Sequence, residues 1–151
     1  MNYELYMSAA ISEARAGAAK GERAEGAVAV LGDAMVARGH DEVRASGDPT
    51  AHCVIVVLRE AARRLGQPEL SGVTVFATRE PCAMCVGALL ASDADGLVFA
   101  LPDSSAGAAG SVVQLATNDR LPQRLHVVSG IMQAEAAELR RSPAASRVGG
   151  R

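Results

Sequence analysis

Helix-like and strand-like stretches alternate singly along most of this chain, and that order leaves few architectures open. Residues 3–20 carry apolar side chains at helical spacing, with Met7, Ala10, Ile11, Ala14 and Ala18 recurring and Gly21 as a stop. Gly26-Ala27-Val28-Ala29-Val30-Leu31 reads as a buried strand, Gly32-Asp33 as a hairpin turn and residues 35–38 as the returning strand. Residues 39–47 are polar and read as loop. Asp48 suits an N-cap and Pro49 the first position of a helix that reaches about Leu65 and stops at Gly66. A third strand follows at 73–78, a Pro81-led helix to about Ser92, a fourth strand at 97–100, a small-residue loop at 104–110, a fifth strand at 125–128 and a helix at 131–141. Strands separated by single helices imply right-handed crossovers onto one sheet. The expected fold is α/β: a three-layer α/β/α sandwich with a mixed five-stranded sheet. Periodicity does not fix the strand order.

The length of 151 residues fits one domain, expected over residues 1–141. Residues 142–151 are rich in Pro, Gly, Ala and Ser, which predicts a disordered tail. Aromatic residues make up only 3% and Trp is absent, so the core must be mostly aliphatic. The formal net charge of -2 gives no basic footprint, and few aromatics are available to stack on bases. Both points argue against a nucleic-acid partner and for a small molecule. Arg59, Arg63 and Arg64 read as a solvated helix face. Three cysteines, an odd number, argue against a disulfide framework. Residues 1–20 contain acidic side chains and no long apolar run, so they do not read as a secretory signal, and no stretch reaches the roughly 20 apolar residues of a membrane span. A cytoplasmic protein is expected.

The chemistry concentrates at two of the helix starts. His52 stands at one, and Cys82 and Cys85 at the next, in Pro81-Cys82-Ala83-Met84-Cys85. One imidazole and two thiolates are good zinc donors, and three protein ligands leave a fourth position for water. Cys-x-x-Cys in a first helical turn puts both sulfurs on one side, where unpaired amides favour thiolate. A redox pair or two core thiols would leave His52 unexplained, so Zn2+ is the expected cofactor.

Four strings carry a resemblance: Gly26-Ala27-Val28, Asp48-Pro49-Thr50-Ala51-His52, Glu80-Pro81-Cys82-Ala83-Met84-Cys85 and Gly107-Ala108-Ala109-Gly110-Ser111. Together they resemble the cytidine deaminase superfamily, in the branch of the tRNA adenosine and guanine deaminases. The likeness runs from the first helix to about Arg141. It implies His52, Cys82 and Cys85 as metal ligands, with zinc activating water for attack on an amino-bearing ring carbon and ammonia leaving. It implies that a glutamate two residues after the histidine moves the protons, and that the backbone around Glu80 to Cys82 helps orient hydroxide and base. It also implies a homodimer.

One departure stands out. The position two residues after His52 is Val54, which cannot carry a proton. General acid–base catalysis typically contributes roughly 10²–10⁴-fold, so this loss bears directly on activity. Three readings stay open. Glu25, which stands before the Gly-Ala-Val strand where the resemblance implies an apolar residue, could be a relocated proton shuttle. The chain could hold zinc and a ligand without turnover. It could also be an inactivated variant. Cys53 reads as a buried structural thiol, because a helical neighbour of His52 points roughly 100° away. The resemblance puts a base-contacting asparagine at Asp41, or at a neighbour in His40-Asp41-Glu42; an ionised aspartate only accepts, so Asp41 would favour a ring presenting N–H donors. Asp103 falls where the tRNA enzymes have an acidic residue near nucleic acid. The expected substrate is a free base, nucleoside or related amino-heterocycle, with tRNA as the alternative, and Asp41, Val54, Glu80 and Asp103 are the expected substrate-binding residues.

Overall fold

The computed structural model describes residues 1–140. Ten elements follow in order: α1 (Tyr3–Ala19), β1 (Gly26–Leu31), β2 (Ala34–His40), α2 (Val43–Ser46), α3 (Cys53–Leu65), β3 (Val73–Arg79), α4 (Ala83–Ala91), β4 (Gly96–Leu101), β5 (His126–Ser129) and α5 (Gln133–Leu139). The five strands form one sheet in the order β2-β1-β3-β4-β5. β1 runs antiparallel to both β2 and β3, while β3, β4 and β5 are parallel, so the sheet is mixed as expected.

Alternation along the strands divides the aliphatic core in two. Ala27, Ala29, Val75, Ala77, Leu97 and Phe99 point to the face covered by α3 and α4. Val28, Val30, Phe76, Val98 and Ala100 point to the face covered by α1 and α5. The period of two that defines a pleated strand thus sends alternate residues to two different helix layers. Gly26 is required where β1 meets α1: a Cβ there would run into the backbone of Ala10 and Ala14.

Two helix starts differ from expectation. Asp48 does not cap α3 and Pro49 is not its first residue; the Asp48 carboxylate instead accepts from the Thr50 amide at 2.8 Å and the Thr50 hydroxyl at 2.7 Å, closing a local turn. The helix begins four residues later at Cys53, with His52 as N-cap. Likewise α4 begins at Ala83 with Cys82 as N-cap, two residues beyond Pro81. The polar stretch read as loop contains the short helix α2, whose first amides are held by a distant side chain: Glu22 accepts from Arg44 N at 2.9 Å and Ala45 N at 2.7 Å. The expected tail at 142–151 lies outside the described residues. Among the described residues, no helix is long and apolar enough to cross a membrane.

Candidate active site

The two helix starts bring His52, Cys82 and Cys85 together. Their ligand atoms all lie within 4.8 Å of one another, and His52 Nδ1 is 3.6 Å from each sulfur. A tetrahedral zinc with Zn–S near 2.3 Å and Zn–N near 2.05 Å puts N and S about 3.6 Å apart, so the donor set fits the ion without rearrangement. The hydrogen bond from Cys85 holds the Cys82 thiol down to about 3, with His52 adding to the effect. Cys85 is pushed up, by that same shared proton and by burial. Two thiols and an imidazole at this spacing are a ready metal chelate. Cys53 is a different kind of thiol: it is buried, and burial pushes it well above its usual value.

A row of charges crosses the sheet edge beside these donors. Just past the last antiparallel pair, Ala27↔Ala77, Glu25 meets Arg79 across the two strand ends. Arg79 Nη1 donates to Glu25 Oε1 at 2.9 Å, and Arg79 Nε lies 3.0 Å from Asp103 Oδ2 in an ion pair off the hydrogen-bond line. On the other side, Arg23 Nη2 lies 2.9 Å from both Glu25 Oε2 and Asp41 Oδ2. Asp41 ends the row by accepting from the Cys53 amide at 2.7 Å, at the start of α3. Burial and the nearby Glu25 raise the Asp41 carboxyl above its ordinary value, against the pull of Arg23.

Glu80 fixes the opposite wall. Its buried carboxylate accepts from the amides of Asp103, Ala109 and Ser111 at 3.0, 2.9 and 3.1 Å, and from the Ser111 hydroxyl. Burial works against the charged form, but these donors outweigh it and hold the carboxyl below its usual range. Gly107 is needed for this seat, since a Cβ there would collide with the Glu80 carboxyl group. Asp103 ties down its own loop through the Ser105 amide and hydroxyl and the Ala106 amide.

One hollow is lined by Glu25, His52, Val54, Glu80, Cys82, Cys85 and Asp103, together with Cys53, Arg79 and Pro81. All the residues singled out from the sequence line it except Asp41, whose two carboxylate oxygens accept from Arg23 and from the Cys53 amide. Arg79 and Arg23 were not singled out. Arg79 immediately precedes the Glu-Pro-Cys string, and a cation at that strand end was the available signal. Arg59, Arg63 and Arg64 sit on the exposed side of α3, where they pair with Asp48 and Glu60, as a solvated face should.

A His-Cys-Cys donor set at two helix starts, opening into a polar hollow at the strand ends of a mixed sheet, defines the class of three-ligand zinc sites with a fourth position open to the hollow. Residues 1–101 match the family of the cytidine and deoxycytidylate deaminase zinc-binding region, and the chain belongs to that family. It is 37% identical over 132 residues to the tRNA-specific adenosine deaminase of Bacillus subtilis (strain 168), covering 87% of this chain and 82% of that one. It is 35% identical over 136 residues to the tRNA-specific adenosine deaminase of Agrobacterium fabrum, covering 90% of each. A solved structure from work on A-to-I editing by tRNA:A34 deaminases superposes with a TM-score of 0.86 at 34% identity, over 89% of this chain and 98% of that one. Guanine deaminase from Bacillus subtilis superposes with a TM-score of 0.65 at 33% identity, over 68% of this chain and 66% of that one. The relatives named for tRNA run against the expectation, drawn from net charge, that nucleic acid is not a partner: whole-chain charge does not report on a local groove.

Proposed function

We propose that this protein is a zinc aminohydrolase, removing the amino group of a nucleobase-type ring: ring–NH2 and water give ring–oxo and ammonia. The observation that carries this reading is the 3.6 Å spacing from His52 Nδ1 to both cysteine sulfurs, which makes these three side chains the metal ligands. Bound zinc supplies Lewis acidity and a water made nucleophilic near neutral pH. The chain's own residues divide the remaining work. Val54 and Pro81 offer an apolar wall to the ring. Glu80 holds the 103–111 loop against the hollow, and Asp103 holds Arg79. Asp41 acts at one remove, through the Cys53 amide at the start of α3.

Glu25 is the proton carrier in this proposal. It is a carboxylate in the same hollow as the three ligands, and Val54 cannot serve. Each of its oxygens faces one arginine at 2.9 Å, which leaves a lone pair on each to take a proton. A reading as a tRNA adenosine deaminase is favoured by the relatives with that name, which this chain matches over most of their length. The free cysteines fit a cytoplasmic setting. Exposed Met84, Val112 and Val113 fit a homodimer.

The test is ammonia release by the zinc-loaded protein from free bases, nucleosides, amino-triazines and tRNA bearing adenosine at the wobble position. Release from any small ring supports the proposal as stated. Release from tRNA alone moves the substrate to the nucleic acid. Silence throughout, with one zinc per chain, leaves a zinc-binding protein without turnover.

A further inference from the structure

An N-cap side chain ordinarily accepts from one of the first amides of its own helix. His52 is the N-cap of α3 and makes no such bond; its Nδ1 lies 3.6 Å from each cysteine sulfur instead. Asp48, the nearest carboxylate upstream, is closed onto Thr50. The first amide of α3, that of Cys53, is buried, so water cannot serve it. Asp41, twelve residues earlier and just beyond β2, serves it from outside the helix: its Oδ1 accepts at 2.7 Å. The Asp41 side chain is 1% exposed, and its Oδ2 is held by Arg23, 3.0 Å from Nε and 2.9 Å from Nη2. A second bond ties the same segment to the residue before the histidine: the Glu42 amide donates to the Ala51 carbonyl at 2.9 Å. His52 is thus bracketed, with Ala51 and Cys53 both fastened to residues 41–42.

We infer that Asp41 is a positioning residue for the metal ligand His52: it stands in for the missing cap and holds the start of α3 so that the imidazole is aimed at Cys82 and Cys85. The inference rests on the reading of these three side chains as zinc ligands. It also marks the point where the charged row reaches the metal half of the site. A carboxylate suits the task, because a charge-assisted bond to an amide is stronger than a neutral one and a helix start favours negative charge. Without Asp41 the Cys53 amide becomes a buried donor with no acceptor, and Arg23 loses one of its two carboxylates. The first turn of α3 must then shift to find other partners, and the imidazole moves with it. Groups that orient a metal ligand in this way typically matter by about 10- to 100-fold in metal affinity.

The test is the zinc affinity of the full chain, titrated against a chromophoric zinc chelator with no ring present. Asp41→Ala should weaken zinc binding by about 10- to 100-fold. Asp41→Asn keeps an oxygen for the Cys53 amide and loses only the charge facing Arg23, so it should recover most of the affinity. Val30→Ala, a buried truncation on the α1/α5 side of the sheet, controls for lost stability alone and should bind zinc as the wild type does. Should Asp41→Ala fail to fold, hydrogen exchange at the Cys53 amide of the metal-free wild type decides. A protected amide is expected, and free exchange would overturn the assignment. So would an affinity unchanged in Asp41→Ala, an equal loss in Val30→Ala, or an asparagine variant as weak as the alanine one. A wild type that binds no zinc would sink the metal reading and this inference together. Zinc bound as expected, but no ammonia from any ring, would sink the hydrolase reading and leave the role of Asp41 standing.

Discussion

The metal half of the site stands on helix starts, and the charged half is strung across strand ends. His52, Cys82 and Cys85 lie at the first turns of α3 and α4, and those helices are docked by aliphatic residues such as Val57, Ala61, Val86 and Leu89. Asp41, Glu25, Arg79 and Asp103 stand at or just beyond the ends of four different strands, with Arg23 between α1 and β1. The donors of the first half are fixed by helix geometry within short strings. The second half is fixed only by sheet register and by its own ion pairs. The lesson is one of independence: Val54 and Glu25 both line the hollow, and neither contributes to the spacing of the three metal donors.

That independence can be broken most severely from the metal side. Cys82→Ser should take zinc from one per chain to near zero in metal analysis and abolish turnover, while the charged row stays assembled. The second test concerns proton transfer. If the charged half only supplies a carboxylate, Val54→Glu introduced into a Glu25→Gln background should recover at least about tenfold of the lost ammonia release, since acid–base catalysis is worth roughly 10²–10⁴-fold. No recovery, with zinc retained, would mean that Glu25 does something position 54 cannot.

A smaller effect separates scaffolding from chemistry. Glu80→Gln strips a buried carboxylate from three amides and a hydroxyl. The cost should be about 3 kcal/mol, seen as a melting temperature lower by about 10 °C. The folded carboxyl lies below its ordinary value. Its contribution is therefore full above the unfolded carboxylate range and fades as the pH falls through the folded value. The gap between wild type and variant should narrow on acidification, and a gap that widens would contradict the role given to Glu80.

The metal half was legible because its residues fall in short strings whose spacing states a donor geometry. The alternation of elements likewise made the α/β layers legible, since apolar period and turn residues are local properties. Helix starts were misplaced where a local turn competed: Asp48 bonds Thr50 instead of capping α3. The start of α2 was hidden because its partner, Glu22, lies more than twenty residues away in sequence. The charged row escaped for the same reason. Glu25 could be singled out as an odd charge, but its pairing with Arg79 depends on which strand lies beside β1, and periodicity does not say. Asp41 was expected to face a ligand. In the fold its two oxygens accept from the first amide of α3 and from Arg23.

The most direct measurement compares ammonia release by the wild type and Glu25→Gln at equal zinc content, on whichever ring the wild type turns over. A fall of at least about 100-fold in kcat, with zinc still at one per chain, is the expected result for a relocated proton carrier. Equal turnover by the two proteins, or none by a fully zinc-loaded wild type on any ring or tRNA, would contradict it.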